Sequence, residues 1–131
     1  MQKHNLPDLI HAHFFFVDIV GLSFPTLSVK RQISKIRALN DLIASCKAYK
    51  STDKSLRLFL PTGDGMAIGF LQRPEFPLTL AIELHKKLKL YNKGKSPEET
   101  LRVRVGINDG PVHVVSNAPE CKFPVLCPYP S

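Results

Sequence analysis

The apolar residues of this chain switch period as the sequence proceeds, and that alternation restricts the possible folds more tightly than any single motif. Residues 13–20 form a Phe- and Val-rich run that reads as a buried strand, with Asp18 near its end. A turn over residues 21–28 carries Pro25 and several hydroxyls able to cap a helix. Val29, Ile33, Ile36, Leu39, Ile43 and Cys46 then recur every three or four residues, which places them on one helical face. Period two returns in Leu56, Leu58 and Leu60, and again in Met66, Ile68 and Phe70. The pair reads as a hairpin whose connection, residues 61–65, has glycines available for positive φ. Pro77 opens a second helix with Leu78, Ala81, Leu84, Leu88 and Tyr91 as its apolar stripe. Beyond a polar loop at 93–99, Leu101, Val103, Val105 and Ile107 alternate with Arg102 and Arg104 as a half-buried strand. Asn108-Asp109-Gly110 reads as a turn into a last strand at 112–115, with Asp109 as a turn former.

Strand, helix, hairpin, helix, strand predicts an α+β fold, a mainly antiparallel sheet with helices on one face. A chain of 131 residues is long enough to bury the core of one such domain without staples. The final stretch is different in kind. Pro111, Pro119, Pro124, Pro128 and Pro130 crowd it, which predicts an irregular tail over residues 116–131. No apolar run approaches the roughly 20 residues of a membrane span. Residues 1–13 carry no export signal, so the expected location is cytoplasmic. Cys46, Cys121 and Cys127 lack metal-ligand spacing and read as reduced, structural thiols.

The net charge of +7 suits an anionic partner, but the bases are scattered. Lys30, Arg31, Lys35 and Arg37 lie on one helix. Lys86, Lys87 and Lys89 lie near the end of the other, where they offset its dipole. Without an aromatic-interleaved basic stripe, no DNA or RNA partner is expected. His4, His11, His13, His85 and His113 share no spacing and read as surface or capping residues.

The chemistry concentrates in two acids. Asp18 closes an apolar strand, where a charge is costly unless paired or bound to metal, and Asp64 sits in a glycine-flanked turn. A carboxylate at the end of a first strand can lie beside a neighbouring hairpin turn, and two acids held close repel until a divalent cation bridges them. Hard oxygen ligands favour magnesium or manganese over zinc. Between the strand end and the first helix, exposed amides would offer an anion site.

Three segments carry a specific resemblance. Phe16-Val17-Asp18-Ile19-Val20-Gly21-Leu22-Ser23, Gly63-Asp64-Gly65-Met66-Ala67 and Arg104-Val105-Gly106-Ile107-Asn108-Asp109-Gly110-Pro111-Val112 resemble successive signature blocks of the class III adenylate/guanylate cyclase catalytic domain. The likeness spans residues 12–115, the N-terminal part of that domain. It implies a ferredoxin-like palm, C-terminally truncated. It also implies that Asp18, Asp64 and the Ile19 carbonyl hold two Mg²⁺ or Mn²⁺ ions, while the amides of Val20, Gly21, Leu22 and Ser23 together with Arg104 hold the triphosphate. The implied reaction converts ATP or GTP to a 3′,5′-cyclic nucleotide and pyrophosphate. Its site is shared across a homodimer or with a complementary cyclase domain.

The sequence departs from the pattern twice. Leu60 stands where family members often carry a purine-reading lysine, and no block with the transition-state asparagine and arginine follows Val115. Loss of such stabilisation costs orders of magnitude in rate. A non-catalytic cyclase-homology module that dimerises or senses nucleotide is therefore the alternative. A basic anion-binding protein of only shared ancestry is a third reading.

Overall fold

A computed structural model describes residues 8–115 and 125–128. Strand β1 (Asp8–Ile19) is followed by helix α1 (Val29–Ala44), the short helix α2 (Lys47–Lys50) and a 3₁₀ turn (Lys54–Leu56). The hairpin β2 (Arg57–Pro61) and β3 (Gly65–Phe70) comes next, then helix α3 (Phe76–Asn92), β4 (Val103–Val115) and β5 (Val125–Pro128). The strands form one sheet in the order β2-β3-β1-β4-β5, with every described pairing antiparallel. β1 sits centrally, and each long helix carries the chain across the sheet to a strand beyond its neighbour. This is the α+β arrangement that the periodicities predict, in the ferredoxin-like order that the resemblance implies.

Alternation on β1 divides the two faces. Phe15, Val17 and Ile19 join Met66, Ile68 and Phe70 of β3 in the main core, against Leu39 and Ile43 of α1 and Leu80, Leu84 and Leu88 of α3. Each such side chain, taken fully out of water, contributes roughly 1.5–3 kcal/mol. The other face carries Phe14, Phe16 and Asp18 and receives no long helix. A small cluster of Ala12, Phe14 and Val112 closes one end of it, while Phe16 remains 42% exposed near the other.

Polar staples fix the connections. Ser28 caps α1 by accepting from the Arg31 amide at 3.1 Å. Glu83 of α3 accepts from the amides of Lys47 and Ala48 at 3.0 and 2.9 Å, tying α2 to α3. The Asn92 side chain donates to the Leu101 carbonyl at 2.9 Å and accepts from the Leu101 amide at 2.7 Å. The chain therefore enters β4 from a fixed point at the end of α3.

Several sequence expectations need correction. β1 begins at Asp8, five residues before the expected start. On α3 the buried face is Pro77, Leu80, Leu84 and Leu88, whereas Leu78 is 58% exposed. Val29 and Ile33 likewise face solvent, because only the second half of α1 packs on the sheet. Asn108-Asp109-Gly110 is not a turn: β4 runs continuously through it, and β1 supplies a paired backbone along its whole length. Neither Gly63 nor Gly65 has positive φ; among glycines that conformation occurs at Gly21 and Gly94. Within the stretch expected to be irregular, residues 125–128 form β5 against Val112–Val115. The remainder of that expectation, residues 116–124 and 129–131, lies outside the described residues.

Candidate functional site

Backbone pairing brings Asp18 and Asp64 together. Asp18 is opposite Gly65 in the β1–β3 ladder, one residue from Asp64. The Ile19 amide donates to the Asp64 carbonyl at 2.8 Å, which pins the hairpin turn to the end of β1. The turn itself closes through the Thr62 amide, which donates to the Gly65 carbonyl at 3.0 Å. Gly65 is required for sterics and not for φ. A Cβ there would run into the Val17 carbonyl oxygen and stand 2.7 Å from the Asp18 Cα.

Arg104 completes the group from β4, where it is the register partner of Asp18. Its Nε donates to Asp18 Oδ1 at 3.0 Å and its Nη2 to Asp18 Oδ2 at 3.1 Å, a forked pair on one carboxylate. Hydrogen bonding to Asp18, followed by the charges of Asp18 and then Asp64, raises the guanidinium above its ordinary value. Arg104 is therefore always a cation here. Its side chain is 72% exposed against 34% for Asp18, so the arginine can leave while the acid stays. Phe16, Thr62, Asp64, Arg104 and Gly106 line the open depression around Asp18, about 400 Å³ in volume.

Asp18 and Asp64 line one open depression, and their hard carboxylate oxygens are donors of the kind suited to Mg²⁺ or Mn²⁺. Each Asp18 oxygen accepts one arm of the Arg104 fork and keeps a second lone pair with which it can meet such an ion.

The expected phosphate residues divide. Residues 20–23 lie in a turn, and α1 begins only at Val29, so these amides are not a helix N-terminus. The Val20 amide is committed to the Arg102 carbonyl at 2.8 Å. Among the described residues no backbone donation from Gly21, Leu22 or Ser23 is found, though the Leu22 side chain is buried in the main core. Val20 and Gly21 line a different hollow of about 320 Å³, with Arg31, Lys35, Glu98 and Arg102 on its walls and none of Asp18, Asp64 or Arg104. Arg104, expected at the phosphate, pairs with Asp18, a contact that strand alternation signals only once the β1–β4 register puts both on the helix-free face.

No family model matches the chain, and no curated protein matches it. Solved structures do. A bacterial light-regulated adenylyl cyclase superposes with a TM-score of 0.73 at 15% identity, covering 93% of this chain and 65% of that one. The guanylate cyclase domain of RhGC from Catenaria anguillulae, solved in complex with GTP, gives 0.61 at 18% identity, covering 92% and 68%. A dimeric guanylyl cyclase domain of the RhoGC fusion protein from the aquatic fungus Blastocladiella emersonii gives 0.62 at 18%, covering 94% and 71%. The chain thus has the fold of adenylyl and guanylyl cyclase catalytic domains and spans about two thirds of their length. Among the described residues, no helix is long and apolar enough to cross a membrane.

Proposed function

We propose that the depression at Asp18, Asp64 and Arg104 is a two-metal nucleotide site, and that this chain is the metal-binding part of a class III nucleotide cyclase domain. The observation that carries the reading is the convergence of Asp18 and Asp64 through the β1–β3 ladder, on a fold shared with adenylyl and guanylyl cyclases.

In this reading Asp18, Asp64 and the Ile19 carbonyl hold two Mg²⁺ or Mn²⁺ ions. When bound, these ions activate the ribose hydroxyl and neutralise the polyphosphate. The ribose 3′ oxygen of ATP or GTP would bond to the α-phosphorus as the bond to pyrophosphate breaks, with the hydroxyl proton released to water. Arg104 releases one arm from Asp18 to meet phosphate oxygens, exchanging one charge-assisted pair for another. The amides of Gly21, Leu22 and Ser23 are the backbone donors near this end of β1, with Arg31 and Lys35 close to the same turn. A second cyclase domain, as a homodimer or a complementary chain, contributes the base and ribose contacts.

A competing reading has its own observation. Leu60, on the same strand face as Phe16 and Asp18, offers no hydrogen bond to a purine. A non-catalytic module that binds nucleotide or dimerises accounts for it.

Calorimetric titration of the purified chain with Mn²⁺ and a non-cyclisable ATP or GTP analogue tests the site. We expect D18N and D64N to weaken binding by about tenfold or more. Equal binding by wild type and the double variant would sink both readings. A cyclic-nucleotide assay then separates them: product formation supports the cyclase, and background turnover with intact nucleotide binding supports the module.

A further inference from the structure

A second constellation lies on the opposite face of the sheet. His11 and His13 are two apart on β1, so both project to the helix side. Asp109 is the register partner of His13 on β4. The His13 Nδ1 lies 2.9 Å from Asp109 Oδ1, and the two imidazole centroids are 5.4 Å apart. One ligating atom from each of His11, His13 and Asp109 falls within 4.8 Å of the other two.

We propose that His11, His13 and Asp109 form a transition-metal site of zinc class that clips β1 to β4, separate from the Asp18–Asp64 pair. Two imidazoles and one carboxylate suit Zn²⁺, Co²⁺ or Ni²⁺, whereas Mg²⁺ and Ca²⁺ favour all-oxygen sets. A tetrahedral zinc shell with bonds of about 2.0–2.1 Å spaces its ligand atoms about 3.3 Å apart. Closing onto an ion therefore asks for shifts of about 1–1.5 Å at the tips of side chains, well within χ rotation. His11 and Asp109 are exposed and free to make that movement. His13 is held: its side chain is 14% exposed, and its backbone is paired with both Phe70 and Asp109. Three protein ligands leave a fourth vertex open to water or an exogenous ligand.

The site is independent of the cyclase reading. His13 and Asp18 project from opposite faces of β1 and are separated along it by about 16 Å, five residues at roughly 3.3 Å each.

The test uses the full chain, stripped of metal and free of nucleotide, titrated with Co²⁺ and then Zn²⁺. We expect one equivalent of Co²⁺ with the intense visible absorption of tetrahedral N/O coordination, displaced by one equivalent of Zn²⁺, and a rise in Tm with zinc. His11→Ala, His11→Gln and Asp109→Asn alter exposed side chains, so folding is expected to survive and is checked by circular dichroism. Each should weaken binding by about tenfold or more. D18N/D64N should bind zinc as wild type does, which separates failure of this site from failure of the nucleotide site. Metal binding unaffected by the His11 and Asp109 variants would assign it to other histidines and overturn the proposal. So would a wild-type chain that takes up no cobalt at millimolar concentration.

Discussion

At the scale of single residues, Gly65 lets the hairpin lie close against Val17 and Asp18 of β1, and it has no room for a side chain. Gly65→Ala must push β3 away from Val17 and Asp18, an overpacking cost of about 1–3 kcal/mol. The urea midpoint should fall accordingly, and Mn²⁺ affinity should fall with it, since Asp64 rides on the displaced turn. A variant with unchanged stability and metal binding would contradict the close approach. Arg104→Ala differs in kind. The Asp18–Arg104 pair is exposed, and exposed pairs contribute about 0–1 kcal/mol, so stability should hardly change while nucleotide affinity declines. Asp18 and Asp64 are legible from sequence because a charge closing a Phe-rich strand and an acid between two glycines each stand out locally. The His11, His13 and Asp109 cluster is not. Finding it requires that β1 begin before His11 and that β4 run straight through Asn108-Asp109-Gly110, and local turn propensity argues against the second.

At the scale of elements, the helix periods are plain in the sequence but their rotation is less so. Leu78, Leu80, Ile82, Leu84, Leu88 and Leu90 allow more than one stripe on α3, and the one chosen by the fold starts from Pro77, whose ring is itself buried. Spacing of 77, 80, 84 and 88 places those four against the sheet and leaves Leu78, Ile82 and Leu90 outward. Leu84→Ala should therefore cost about 2–5 kcal/mol in urea unfolding, and Leu78→Ala within about 0.5 kcal/mol. The reverse order would mean that α3 sits rotated. The loop after α3 has a comparable test. Asn92 satisfies both polar groups of the Leu101 backbone, and Leu101 is buried. Asn92→Ala strands a donor and an acceptor, which should cost about 1–3 kcal/mol by the same measurement. β4 and β5 show why turn residues mislead here. Extended pairing with β1 overrides the Asn-Asp-Gly preference, and Val125–Pro128 takes a sheet-edge position, where prolines are tolerated.

At the scale of the whole molecule, the order of elements is legible from hydrophobic period alone, because each switch of period marks a change between sheet and helix. What sequence cannot supply is the register that brings distant residues face to face, and every site described above depends on it. The layered core also makes one thiol a reporter on the entire fold. Cys46 is fully buried where the end of α1 meets α2, its Sγ 3.4 Å from the Leu42 carbonyl. Burial first, then the nearby Glu83 carboxylate, pushes the thiol from 9.0 up to about 11. The folded state therefore holds this proton more tightly than the unfolded chain does. Stability from this group is complete below pH 9 and is lost as pH rises from 9 through about 11. A shift of that size corresponds to a loss on the order of 2 kcal/mol across the window. Lysines and tyrosines titrate in the same range, so the measurement is the difference between wild type and Cys46→Ala. Thermal melts from pH 8 to about 11 should show the wild type losing its advantage over the variant as alkalinity rises. Parallel pH profiles would instead mean that the thiol is already solvated in the native state and that the α1–α2 corner is looser than its packing implies.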